Sequence, residues 1–191
     1  MSKILLINTG KTQYIEGSLN WVTNGSYMFF GCSNLSSFTT DLPSLTNGSY
    51  MFYNCTTLTS FSGDLSSLTE AANMFSGCSN LTSFTTDLSS LTNGNYMFSG
   101  CKNLTSFNTD LSSLTNCNGM FGSGYYNCTK LDLASVQNIA DTINDLASKG
   151  TTGTIGIGMQ KALQSDDETA PINVALAAIR AKGWTVTEIY A

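Results

Sequence analysis

Residues 94–116 read GNYMFSGCKNLTSFNTDLSSLTN, and the three stretches before them say nearly the same thing: AANMFSGCSNLTSFTTDLSSLTN at 71–93, GSYMFYNCTTLTSFSGDLSSLTE at 48–70 and GSYMFFGCSNLSSFTTDLPSLTN at 25–47. Met28, Met51, Met74, Met97 and Met120 keep the 23-residue period without a slip. Self-similarity at a period of roughly 20–50 residues marks a solenoid, in which each unit buries its apolar face only against its neighbours. One such unit cannot stand alone, which is why they come in series.

Inside a unit the apolar positions recur as Met74, Phe75, Cys78, Leu81, Phe84, Leu88 and Leu91. Leu81-x-x-Phe84, set among Thr and Ser, predicts a short strand near 82–86 with its phenyl ring inward. Asn80 and Asp87 bracket it as turn formers that bond their own backbone. Only the Met-Phe stretch has any helical character, so the return side is expected to be a 3₁₀ or single helical turn. The fold class that follows is an α/β repeat solenoid, a parallel β-sheet stack of 23-residue coils with a helix-strand C-terminal cap.

Upstream, Leu19, Val22, Thr23 and Asn24 precede Leu42, Leu45, Thr46 and Asn47 by one period, and Lys3 to Asn8 reads as a starting strand. Residues 1–24 are therefore expected to form an N-terminal cap and degenerate coil, 25–131 the solenoid, and 132–191 the C-terminal cap. The fifth coil keeps Met120 and Phe121 in phase, but Cys128 comes four residues late, after Gly122 to Tyr126. Beyond Leu131, Ser135 is placed to N-cap a helix carrying Val136, Ile139, Ala140, Ile143, Leu146 and Ala147 on one face, with Gly150 ending it. A strand over 152–158 and a short helix over 159–163 follow. Pro171 delays the main helix to about Thr169–Lys182, with Ile172, Ala175, Leu176 and Ile179 inward, and Trp184 to Tyr190 alternates as a last strand. These strands are expected to extend the solenoid's own parallel sheet.

Charged residues are 11% of the chain, the formal net charge is −5 and there is no His. The eight basic residues are scattered rather than clustered, which excludes the basic stripe that nucleic-acid binding needs. No run approaches the roughly 20 apolar residues of a membrane span, so no membrane insertion is expected. Met1 to Gly10 lacks the apolar core of a secretory signal. Without His there is no Ser-His-Asp or Cys-His pair, no P-loop occurs, and Gly153 to Gly158 lacks the G-x-G-x-x-G frame. No catalytic residue, no cofactor and no enzyme activity are expected.

Cys32, Cys55, Cys78 and Cys101 share one phase, so they stack with parallel Cβ vectors that do not suit a disulfide, and no C-x-x-C spacing suggests zinc. They read as a buried column and not as a metal site. Asp41, Asp64, Asp87 and Asp110 form a second column, at positions where a turn needs an acceptor, with calcium bridging as the alternative. Tyr27, Tyr50 and Tyr96, with Asn73 at the same phase, read as core beside Phe29, Phe52, Phe75 and Phe98, with a stacking platform as the alternative. Ser60, Ser62, Ser83, Thr85, Ser106 and Asn108 flank the strand Phe as an uncharged ladder that either hydrogen-bonds a sugar or partner backbone or is merely solvated. Tyr125 and Tyr126, in the irregular loop, are candidate contact residues.

The strings Tyr96-Met-Phe-Ser-Gly-Cys101, Asn103-Leu-Thr-Ser-Phe107 and Asp110-Leu-Ser-Ser-Leu-Thr115 resemble the BspA-like (Treponema pallidum type) leucine-rich repeat, over about residues 12–131. Lys182-Gly-Trp-Thr-Val186 is similar to the terminal unit that follows such repeats in gut bacterial and bacteriophage proteins. The resemblance implies a right-handed leucine-rich-repeat solenoid used in adhesion or protein recognition. Two departures stand out: the usual Pro survives only as Pro43, and no secretion signal is visible. Two functions are expected. The first is a non-enzymatic module binding a protein or glycan surface, extracellular, at the cell surface or in a virion. The second is a structural subunit, as a homo-oligomer or within a virion fibre or surface assembly.

Overall fold

A computed structural model describes residues 5–8, 13–16, 18–123, 126–128, 130–143, 145–147 and 153–190. It opens with an antiparallel hairpin, β1 (Leu5–Asn8) against β2 (Gln13–Glu16). Next come four two-residue strands, one per coil: β3 (Ser37–Phe38), β4 (Ser60–Phe61), β5 (Ser83–Phe84) and β6 (Ser106–Phe107). A small hairpin, β7 (Gly122–Ser123) and β8 (Tyr126–Asn127), precedes α1 (Leu133–Thr142), β9 (Gly153–Met159), a 3₁₀ turn (Lys161–Leu163), α2 (Pro171–Ala181) and β10 (Trp184–Tyr190).

The repeat phase becomes a set of stacked columns. Phe52, Phe75 and Phe98 lie over one another at 5.3 and 5.6 Å between centroids, and Phe61 and Phe84 of the strands meet them edge-on. Offset and edge-to-face geometry is what ring quadrupoles favour, so one column locks the other. The leucines, the methionines from Met51 onward and the cysteines of the coils complete a continuous buried core.

The expected single sheet is corrected. β3 pairs with β4 and β5 with β6, both parallel, as two separate sheets. Ser62 N–H donates to Phe38 O and Asn108 N–H to Phe84 O, each at 3.0 Å, but among the described residues Thr85 makes no such bond to Phe61. Continuity resides elsewhere. A column of single parallel bridges joins Asn24, Asn47, Glu70, Asn93 and Asn116. On the Met-Phe side a backbone ribbon links every coil to the next: Gly25, Tyr27, Phe29 and Gly31 donate to Asn47, Ser49, Met51 and Tyr53 at 2.8–3.1 Å. The residues between them turn inward on their own coil, as Met28 N–H to Gly25 O and Phe30 N–H to Tyr27 O show. That alternation replaces the expected helical turn and satisfies every second N–H across the coil boundary.

The late Cys128 is accommodated without loss of register. β7 and β8 loop the extra residues out, Cys128 N–H donates to Phe121 O as Cys101 N–H does to Phe98 O, and its thiol reaches Phe98 O at 2.7 Å. The C-terminal strands do not continue the strand side. β9 and β10 form their own parallel pair, and β9 touches the coils through a bridge from Met159 to Leu131 and a bond from Phe121 N–H to Gly156 O. The edge of β6 is covered instead by α1. Ser135 Oγ accepts from Phe107 N–H at 2.8 Å, and Asn138 Oδ1 accepts from Thr109 N–H at 3.1 Å. Side chains thus supply the acceptors that a next strand would have offered. Asp132, not Ser135, is the N-cap of α1, and the helix ends at Thr142, leaving Ala147 exposed. Gly150 lies outside the described residues. α2 starts at Pro171, where a missing N–H costs nothing, and buries Ile172, Ala175, Leu176 and Ile179 as expected.

Candidate functional site

The Met-Phe ribbon turns tightly because it carries two left-handed residues per coil. The first column is Tyr27, Tyr50, Asn73 and Tyr96, at φ of 61°, 58°, 58° and 55°, and the second is Gly31, Asn54, Gly77 and Gly100. Glycine and asparagine suit that region, but a tyrosine held there costs on the order of 1–2 kcal/mol. The left-handed turn swings the ring away from the core, so the expectation that the tyrosine column is interior is overturned. Tyr27 is 57% exposed, and Tyr50 and Tyr96 are half-buried.

Beside this column stand Phe30, 49% exposed, and Tyr53. Tyr27 stacks on Tyr50 at 4.9 Å with planes 3° apart, and Phe30 stacks on Tyr53 at 5.0 Å and 11°. Tilted contacts of 5.8 and 5.6 Å tie Tyr27 to Phe30 and Tyr50 to Tyr53. The four rings form an aromatic tile on the outside of the first two coils. Sequence reasoning missed Phe30 and Tyr53. The signal lay in variation across the copies, since one phase reads Phe, Tyr, Ser, Ser and the next Tyr, Tyr, Asn, Tyr, whereas buried phases stay apolar throughout.

Where the third coil substitutes Asn73 and Ser76 the tile stops, and a cleft of about 520 Å³ opens. Tyr50 and Tyr53 line one side and Tyr96 the other, with Asn54 and Gly77 also lining it. Tyr96 is held from beyond the cleft, its hydroxyl accepting from Asn118 Nδ2 at 3.4 Å. Asn54 leans over Gly77 so closely that a Cβ there would lie 2.1 Å from its Oδ1.

The strand-side ladder lies across the core from this tile. Ser60, Ser62, Ser83, Thr85 and Asn108 are exposed, and Ser106 is half-buried under α1's side of the molecule. Ser83 and Ser106 sit opposite each other in the β5–β6 register. Tyr125 lies outside the described residues. Tyr126 is placed only by its backbone, opposite Ser123 in the β7–β8 hairpin.

The aspartate column serves its turns. Asp64, Asp87 and Asp110 each accept from the backbone N–H two residues on at 2.7–2.8 Å, and Asp41 accepts from Asp64 N–H. Among the described residues no group of three or more His, Cys, Asp or Glu could hold a metal ion. The cysteines are buried and none forms a disulfide; three of them donate to a Phe carbonyl of the coil before, Cys55 to Phe29, Cys78 to Phe52 and Cys101 to Phe75, at 3.1–3.2 Å. Burial, and then the neighbouring Cys32, pushes the Cys55 thiol up to about 12. Cys78, Cys101 and Cys117 are likewise raised well above the usual thiol range, chiefly by burial. Such thiols are inert as nucleophiles.

The family profile for the BspA type leucine-rich repeat region matches six copies, over residues 7–132 and 48–165. The chain belongs to the BspA-type leucine-rich-repeat family. No curated protein and no solved structure matches it. A BspA-type repeat chain points in general to protein binding or adhesion. Among the described residues, no helix of this BspA-type chain is long and apolar enough to cross a membrane.

Proposed function

We propose that this protein is a non-enzymatic recognition or adhesion module that engages a protein or glycan surface, extracellular or on a cell or virion, through the aromatic side of its solenoid. The observation that carries this reading is the exposed tile of Tyr27, Phe30, Tyr50 and Tyr53, two of whose rings stand on strained left-handed backbone. Strain of that kind persists where the surroundings or a function require it, and rigid aromatic surface is what interfaces use most. The uncharged ladder of Ser60, Ser62, Ser83, Thr85, Ser106 and Asn108 is the competing face. Adhesion to immobilised surface glycoproteins, measured for Tyr27→Ser/Phe30→Ser and for Ser83→Trp/Thr85→Trp, separates them. Loss in the first pair alone supports the aromatic side; loss in the second alone transfers the role to the strand side.

A structural subunit of a larger assembly is the second reading. It rests on Trp21, 62% exposed on the first turn before the full coils, where a docked neighbour would cover it. Light scattering of the wild type and Trp21→Ser tests it: a monodisperse monomer in both counts against assembly.

A further inference from the structure

The exposed ring column is interrupted once, and the interruption is shaped like a binding site. Tyr27 and Tyr50 stack at 4.9 Å, Asn73 stands where the third ring would be, and Tyr96 resumes the column. With coils about 5 Å apart, Tyr50 and Tyr96 stand roughly 10 Å from each other across one missing rung. The backbone at the gap is unchanged, since Asn73 has the same φ of 58° as Tyr50. The opening therefore comes from the side chain alone.

The lining decides what fits. The walls are ring faces, whose negative quadrupole attracts polarised C–H bonds. The floor is polar: the side-chain amides of Asn54 and Asn73 and the Ser76 hydroxyl have no hydrogen-bond partner among the described residues, so their donors and acceptors are available. Among the described residues no carboxylate lines the cleft and Lys102 is its one cation, too little for a phosphate-rich ligand. A partner's aromatic side chain would fill the missing rung but would cover those amides without pairing them, at a desolvation cost. A neutral sugar ring satisfies both parts at once, presenting C–H faces to the tyrosines and hydroxyls, each donor and acceptor, to the floor. A cleft of about 520 Å³ lies within the roughly 300–1,000 Å³ typical of small-ligand sites.

We infer that this cleft is a carbohydrate subsite, holding one neutral pyranose between Tyr50 and Tyr96 over Asn54, Asn73 and Ser76. The inference rests on the recognition reading above and names its ligand class. Its test is saturation-transfer NMR of the full chain with the methyl glycosides of glucose, galactose and N-acetylglucosamine, using the wild type, Asn73→Tyr, Tyr96→Ala and Val174→Tyr. Asn73→Tyr restores the ring found in three other coils at the same backbone angle, so it keeps the fold while filling the gap. The expected result is saturable binding of at least one sugar, weakened about tenfold or more by Asn73→Tyr and Tyr96→Ala and unchanged by Val174→Tyr, at an exposed position on α2. Sugar binding that survives Asn73→Tyr overturns the inference. So does a wild type that binds none of the sugars, or that takes up N-acetyltryptophanamide instead. Those last outcomes leave the recognition reading standing, because adhesion through the tile of Tyr27, Phe30, Tyr50 and Tyr53 is read separately with Tyr27→Ser/Phe30→Ser.

Discussion

Phe75→Ala is expected to destabilise the solenoid more than Phe29→Ala, although both rings are buried and hold the same place in their coils. Phe75 meets four rings: Phe52 at 5.3 Å, Phe61 at 5.0 Å, Phe84 at 5.4 Å and Phe98 at 5.6 Å. Phe29 meets two in the core, Phe38 at 5.4 Å and Phe52 at 5.2 Å. Each truncation loses about 3–5 kcal/mol of transfer and cavity energy, a contribution that largely cancels in the comparison. Two further ring pairs at about 0.5–1.5 kcal/mol each leave Phe75→Ala costlier by about 1–3 kcal/mol. A central coil also has neighbours on both sides, which by itself deepens any truncation there. Leu81→Ala against Leu35→Ala, at one shared phase without ring pairs, measures that positional contribution. Urea unfolding at 25 °C with unchanged m gives all four values. A phenylalanine gap no wider than the leucine gap would refute the interlocked-ring account.

The buried thiols fix a pH dependence. Folding raises the Cys55 thiol from about 9 to about 12, so its contribution is fully present below pH 9 and is lost as pH rises toward 12. Stability should fall over that window, and a thiol reagent at pH 8 should label these cysteines only after unfolding; rapid labelling of the native chain would contradict their burial. Asp87→Ala should cost about 0.5–1.5 kcal/mol and Asp87→Asn less, because the asparagine oxygen still accepts from Ser89 N–H. With Asp64, Asp87 and Asp110 each engaged in its own turn and Asp41 on the Asp64 N–H, melting temperatures in calcium and in chelator should coincide, and a calcium-dependent rise would restore a metal role for the column. Ser135→Ala strands the Phe107 N–H under α1 and should cost about 1–3 kcal/mol by the same unfolding assay; a neutral effect would mean that α1 does not protect the edge of β6.

The 23-residue identity of the copies determined the coil, its buried Phe, Leu and Cys columns and the turn role of the aspartates. Identical neighbours at a fixed period can bury an apolar face only by stacking, so residues of one phase must share a column. Cys128 shows the strength of that constraint, since the chain loops out the extra residues to return it to phase. Which way a column faces is another matter. Tyr50 and Phe52 are both aromatic and two residues apart, and only the left-handed backbone at Tyr50 sends one ring outward while the other goes in. The split of the strand side into two sheets, the side-chain cover that α1 places on β6, and the cleft at Asn73 likewise depend on distances between coils. Those distances arise from packing the whole stack, and no single repeat encodes them.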